Sequence, residues 1–92
     1  MKLDRNSVPR LAAKVRLQFD RHSGRHLLLY PERGMQLEDS AAAIIKRCDG
    51  VHSIAEIASH LAVEFDADAS DIESDALEFL QALCDRALLV VA

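Results

Sequence analysis

The hydrophobic pattern changes period along the chain. From Lys14 to Asp20 apolar and polar residues alternate, with Val15, Leu17 and Phe19 on one side and Lys14, Arg16, Gln18 and Asp20 on the other. A period of two predicts a half-buried strand. Arg21 to Arg25 reads as a turn around Gly24, and His26 to Tyr30 as the return strand. Pro31 stops that strand, because proline has no N–H to give to a ladder. Gly34 is a second turn signal. Met35-Gln36-Leu37 then resumes the alternation as a third strand.

After Leu37 the period lengthens to that of a helix. The first helix is expected from Ser40 to Cys48, capped by Asp39 or Ser40, with Ala41, Ile44, Ile45 and Cys48 on one side. Asp49-Gly50 ends it, glycine suiting the left-handed position after a helix. The second begins at Ser53, with Glu56 three residues on as a capping box, and carries the stripe Ile54, Ile57, Ala58, Leu61 and Phe65. Asp66 to Ala69 breaks the pattern. Ser70 and Glu73 suggest another box for the third helix, whose stripe is Ile72, Ala76, Phe79, Leu80, Leu83 and Cys84, with Asp71, Glu73, Asp75, Glu78 and Asp85 facing out. Leu88 to Val91 reads as a short extended apolar piece.

The order implies an α+β, winged-helix-like fold: a three-stranded antiparallel sheet followed by a three-helix bundle, sharing one aliphatic core. A chain of 92 residues fits one domain. Residues 1–10, polar at the start and carrying Pro9, are expected as a flexible N-terminal arm, and residues 11–92 as the domain. No stretch reaches the roughly 18 apolar residues of a membrane span and no signal peptide is visible, so a cytoplasmic protein is expected. In that compartment Cys48 and Cys84 read as two thiols that behave as small apolar residues, with a Cys48–Cys84 disulfide as the minor alternative.

Charge is uneven. Up to Arg33 there are eight Lys/Arg and three Asp/Glu; from Gly34 on there are three and twelve, for a net −4. A basic hairpin therefore sits beside acidic helices, either as two solvated surfaces that attract each other or as a polarised face that steers charged partners. Between Ser53 and Asp85 there is no Lys or Arg, so these helices would repel a DNA duplex. A DNA-binding winged helix is kept as an alternative.

Catalytic constellations are missing. Cys48 and His52 are separated by Asp49-Gly50, His22 and His26 flank a turn, and His60 stands alone on the outer face of the second helix. No CxxC, HExxH or glycine-rich phosphate loop occurs, so neither metal nor cofactor is expected. Neither cysteine has a histidine placed beside it by a local motif. Asp39-Ser40 is similar to the start of the carrier helix in phosphopantetheine proteins, but Ala41-Ala42 follows and a hairpin precedes, which favours a helix cap. What remains is binding. An open sheet edge can take a peptide as an extra strand, and Met35-Gln36-Leu37 is the natural edge. Leu77, apolar yet off the main stripe of the third helix, either lines a groove beside that edge or flanks the core. An exposed edge also permits a homodimer by edge pairing or domain swap.

The stretch YPERGMQLEDSAAAIIKRCDG, Tyr30 to Gly50, continued by His52 to Ile57, resembles the coenzyme PQQ synthesis protein D (PqqD) family, and the resemblance runs from about Leu11 to Val91. It implies a peptide chaperone of pyrroloquinoline quinone biosynthesis, a recognition element for ribosomally made, modified peptides. Such a protein binds the precursor peptide PqqA and presents it to the radical SAM enzyme PqqE; a carrier or binder of the quinone product is the alternative, and the low aromatic content argues against a stacked quinone. The family's leader peptide pairs with the third strand and rests against the third helix. Carried over, that implies Met35, Gln36 and Leu37 on the strand, and Asp75 and Leu77 on the helix. Asp75 to Leu80 matches the family's pattern apart from Ala76. Ala87 stands where glycine is usual, and Arg33 where glycine often follows Pro-Glu; these departures bear on turn geometry.

Overall fold

The computed structural model describes residues 1–31 and 33–92; Glu32, half of the Pro-Glu pair, lies outside the described residues. Eight elements follow one another: β1 (Pro9–Leu11), β2 (Arg16–Asp20), β3 (Arg25–Tyr30), β4 (Arg33–Leu37), α1 (Asp39–Lys46), α2 (Ile54–Phe65), α3 (Ala69–Asp85) and β5 (Leu89–Val91). β2, β3 and β4 form the antiparallel sheet in that order, so β4 is an edge. The α+β, winged-helix-like arrangement of three strands and three helices is the one the pattern predicts.

Leu28 is fully buried at the centre of the sheet, opposite Leu17 on one side and Met35 on the other. Strand alternation then puts Val15, Leu17, Tyr30, Met35 and Leu37 on the core face. The helices close over that face with Ile44 and Ile45 from α1, Ile54, Ile57 and Leu61 from α2, and Ala76, Leu80 and Leu83 from α3. Both cysteines are free thiols; Cys48 is buried and Cys84 half-buried. Gly34 belongs to β4 rather than to a turn. It lies opposite Leu29, whose Cδ2 would come within 3.1 Å of an added Cβ, so the missing side chain leaves room for that leucine.

The first ten residues, expected as an arm, are packed on the helices. Leu3 is 5% exposed, within the core. β1 pairs with β5 in a second, two-stranded sheet, and Gly50 N–H donates to the Pro9 carbonyl at 3.0 Å. The carbonyls of Ser7 and Arg5 accept from the N–H groups of Ile54 and Ala55, both at 2.9 Å. Those donors open α2 and have no partner within the helix. The N-terminal segment therefore completes the cap of α2, a long-range role that its polar sequence does not advertise.

Helix ends follow the expected chemistry only at α2. There Ser53 accepts from Glu56 N–H while the Glu56 carboxylate accepts from Ser53 N–H, a complete capping box. At α1 the cap is Glu38, with no side-chain bond, and the helix stops at Lys46 before Cys48. Gly50 does take the left-handed conformation, φ +77°, but serves the contact with Pro9 rather than the helix end. At α3 the cap is Asp68, which accepts from Ser70 N–H, and no Ser70–Glu73 box forms. Glu73 instead accepts from Arg5 Nε at 2.6 Å. The end of α3 is a Schellman turn: Leu88 N–H reaches Leu83 O and Ala87 N–H reaches Cys84 O, with Ala87 left-handed at φ 61°.

Candidate peptide-binding edge and groove

β4 owes its place at the edge to the hairpin that precedes it: β3 occupies one side and the chain turns into α1 two residues after Leu37. Its far side presents backbone N–H and C=O groups in alternation. Leu37 is buried and Met35 half-buried on the core face, while Gln36 is exposed on the opposite face, across from Leu27. The three strand residues read from the sequence thus form a continuous edge with two apolar anchors directed at the helices.

Beside the end of β4 lies a hollow of ≈ 110 Å³. Ser40 and Ile44 come from α1, Leu61 and Phe65 from α2, Ile72 and Asp75 from α3. Its floor is aliphatic. Phe65 is 54% exposed at its rim. Asp75 is an exposed carboxylate at the mouth. The other end of α3 is tied to the sheet: Arg86 Nη2 donates to the Tyr30 hydroxyl at 3.0 Å, and the guanidinium lies 5.5 Å from the ring centre. Tyr30 pairs with Arg33, the first residue of β4. α3 therefore runs alongside β4 in the opposite direction, its start near Leu37 and its end near Arg33.

The structure separates the two α3 residues chosen from sequence. At about 100° per residue, Leu77 points some 200° round the helix from Asp75. Leu77 shares its flank with Glu73 and Gln81, one turn to either side. Glu73 holds Arg5; Gln81 accepts from Leu3 N–H and donates to the Met1 carbonyl, both at 2.8 Å. Leu77 packs against the core there, under the N-terminal segment. Ser40, Ile44, Leu61, Phe65 and Ile72 were missed as groove residues. All but Ser40 do stand in the apolar stripes, but only the mutual placement of three helices turns them into one surface.

The remaining polar groups have structural partners. Asp49 accepts from the N–H groups of Val51 and His52, which hold its carboxyl at about 2, well below the usual carboxylate range. Its other oxygen lies 2.7 Å from His52 Nδ1. His60 is not alone, since its ring stands edge-on to that of His52 at 5.5 Å. Burial pushes the Cys48 thiol up to about 12, with Asp49 adding to the effect. Its S–H donates to Ile44 O. Among the described residues no group of three or more His, Cys, Asp or Glu could hold a metal ion, and no helix is long and apolar enough to cross a membrane.

Fold and groove together define a winged-helix-like α+β domain with an open sheet edge beside a helix-lined hollow. Residues 25–89 match the family described as coenzyme PQQ synthesis protein D (PqqD). The chain belongs to that family. A relative from Xanthomonas campestris pv. campestris (strain B100), named PqqA binding protein, is 49% identical over 87 residues, which is 95% of each chain. Among solved structures, the solution structure of the PqqD part of Methylobacterium extorquens PqqCD aligns with a TM-score of 0.85 and 40% identity, over 96% of this chain and 94% of that one. That protein is described as a functional, stand-alone recognition element for ribosomally synthesised and post-translationally modified peptides. A lasso peptide synthetase B1 complexed with its leader peptide aligns with a TM-score of 0.75 and 26% identity, over 91% of this chain and 99% of that one.

Proposed function

We propose that this chain is a non-catalytic peptide chaperone of pyrroloquinoline quinone biosynthesis, acting in the cytoplasm. It binds a PqqA-like precursor peptide as an added strand on β4 and presents it to a PqqE-like radical SAM enzyme. The observation that carries the reading is the free β4 edge beside the hollow under Asp75. The relative named PqqA binding protein and the recognition-element and leader-peptide structures support it.

Main-chain hydrogen bonds to β4 would supply affinity, and side chains reaching between Met35, Leu37 and the hollow would supply selectivity. Gln36 lies on the outer face of the same strand. Asp75 stands at the mouth; Leu77 keeps α3 seated from the opposite flank. Ordering a disordered peptide costs free energy that these contacts must exceed. The return is a raised effective concentration of the peptide at the enzyme. With no peptide bound, the same edge is open to a second copy of the chain, by edge pairing or strand exchange, and bound peptide would compete with that dimer.

Titrating isotope-labelled protein with the PqqA-type precursor peptide from the same genome tests the reading. Saturable amide shifts are expected along Met35–Leu37 and on the Ile72–Asp75 side of α3. Absence of any saturable change, with the enzyme present or absent, rejects it.

A further inference from the structure

Resting on that reading, we infer that the groove between β4 and α3 is electrically polarised and selects its peptide by the order of its charges. An acidic peptide side chain belongs at the Tyr30–Arg33 end, an apolar one in the hollow, and a basic one at the Asp75 end.

The positive end is built from two side chains. Arg86 is fixed on Tyr30, and Arg33 lies opposite Tyr30 in the sheet register. Lys14 and Arg16 lie further off, in a separate cleft beside β2 at the other edge of the sheet. Among the described residues no carboxylate forms an ion pair with Arg33 or Arg86; the ion pairs are those of Arg5, Arg47 and His52. Counting Glu32, the sequence neighbour of Arg33, leaves this end positive. At the negative end Asp75 stands at the mouth of the hollow, with Asp71 one turn earlier on α3. Glu38 caps α1, whose Ser40 lines the same hollow. Asp39 faces a neighbouring cleft together with Lys46 and Arg47, the latter bound to Glu64 at 2.7 Å.

The spacing suits an extended peptide. From Arg33 to Leu37 is about 13 Å at roughly 3.3 Å per strand residue. From Asp75 to Arg86 is about 16 Å at 1.5 Å per helical residue. Both exceed the Debye length of about 8 Å at physiological salt, so the two ends are read independently. Two peptide residues about four apart lie on the same face of a strand, and those positions span the groove. Their charges then also decide which way round the peptide lies, a choice the main-chain bonds leave nearly open.

Charge reversal tests this. A fluorescent PqqA-type precursor peptide is titrated against the full chain and against Asp75→Lys, Arg33→Glu and Arg86→Glu, at low and at moderate salt. Arg21→Glu, at the exposed hairpin tip, is the control for net charge. All four side chains belong to exposed residues, and Arg33 makes no ion pair among the described residues. Because Arg86 also ties α3 to Tyr30, urea unfolding of each variant is compared with wild type, and Asp75→Lys and Arg33→Glu decide the outcome where Arg86→Glu is destabilised. Each groove reversal is expected to weaken binding by more than about threefold at low salt, with the gap narrowing as salt rises, while Arg21→Glu stays within about threefold. Saturable binding by the wild-type chain, with the groove variants all within about threefold of it or matched by Arg21→Glu, overturns the charge order and leaves strand addition standing. No binding by the wild-type chain overturns both.

Discussion

Ala87 shows how one residue can carry a local cost. It holds the left-handed position that closes α3, where an L-residue is disfavoured by about 1–2 kcal/mol and glycine is not. The position is kept because the Schellman bonds and the buried pair Leu83 and Leu88 fix it. Ala87→Gly relieves the clash but adds freedom to the unfolded chain, worth about 0.4–1 kcal/mol. The expected outcome is a net gain of about 0.5–1 kcal/mol in urea unfolding; a loss would mean that the turn is not strained. Cys48 illustrates a second residue-scale point. Its place on an apolar stripe marked it as a packing residue, and its high pKa and bond to Ile44 O are what a buried thiol of that kind has.

At the scale of elements, the connection between α1 and α2 depends on charge. Asp49 braces it through the Val51 and His52 N–H groups, which bind the carboxylate and not the acid. Its folded pKa of about 2 lies below the ordinary 3.8, so its contribution to stability is present above about pH 4 and is lost as pH falls toward 2. Asp49→Ala should therefore lower the unfolding midpoint at pH 7, with the gap to wild type closing across that window. A gap unchanged at pH 2 would assign the effect to something other than the carboxylate. The capping box of α2 was legible because Ser53 and Glu56 are three apart and satisfy each other locally. The ends of α1 and α3 were not, because a distant partner, Arg5, takes Glu73, and because Glu38 rather than a serine or aspartate happens to sit where the sheet releases the chain.

For the whole molecule, the decisive feature is the N-terminal segment. It supplies Leu3 to the core, two acceptor carbonyls to α2 and one strand to β5, and it contacts α3 through Glu73 and Gln81. Burial of a leucine is worth about 2 kcal/mol and each lost hydrogen bond about 1. Deleting residues 1–8 is expected to remove about 2–4 kcal/mol, a large share of the stability of a small domain, and to shift the urea midpoint accordingly. An unchanged midpoint would show that the segment is a passenger. Because it grips the flank of α3 opposite the groove, it also sets how α3 stands against β4.

The three strands of the main sheet, the helices, the aliphatic core and the β4 edge were written in the sequence, because each depends on periodicity within a few turns or on residues three or four apart. The acidic character of α2 and α3 was equally plain, since charge can be read residue by residue. Tertiary structure alone decided that residues 1–10 are part of the fold, that the Leu77 flank of α3 meets the N-terminal segment while the Asp75 flank meets the hollow, and that Ser40, Ile44, Leu61, Phe65 and Ile72 share one hollow. Those outcomes depend on how three helices pack over a sheet, where partners are tens of residues apart and no local pattern specifies the distance between them.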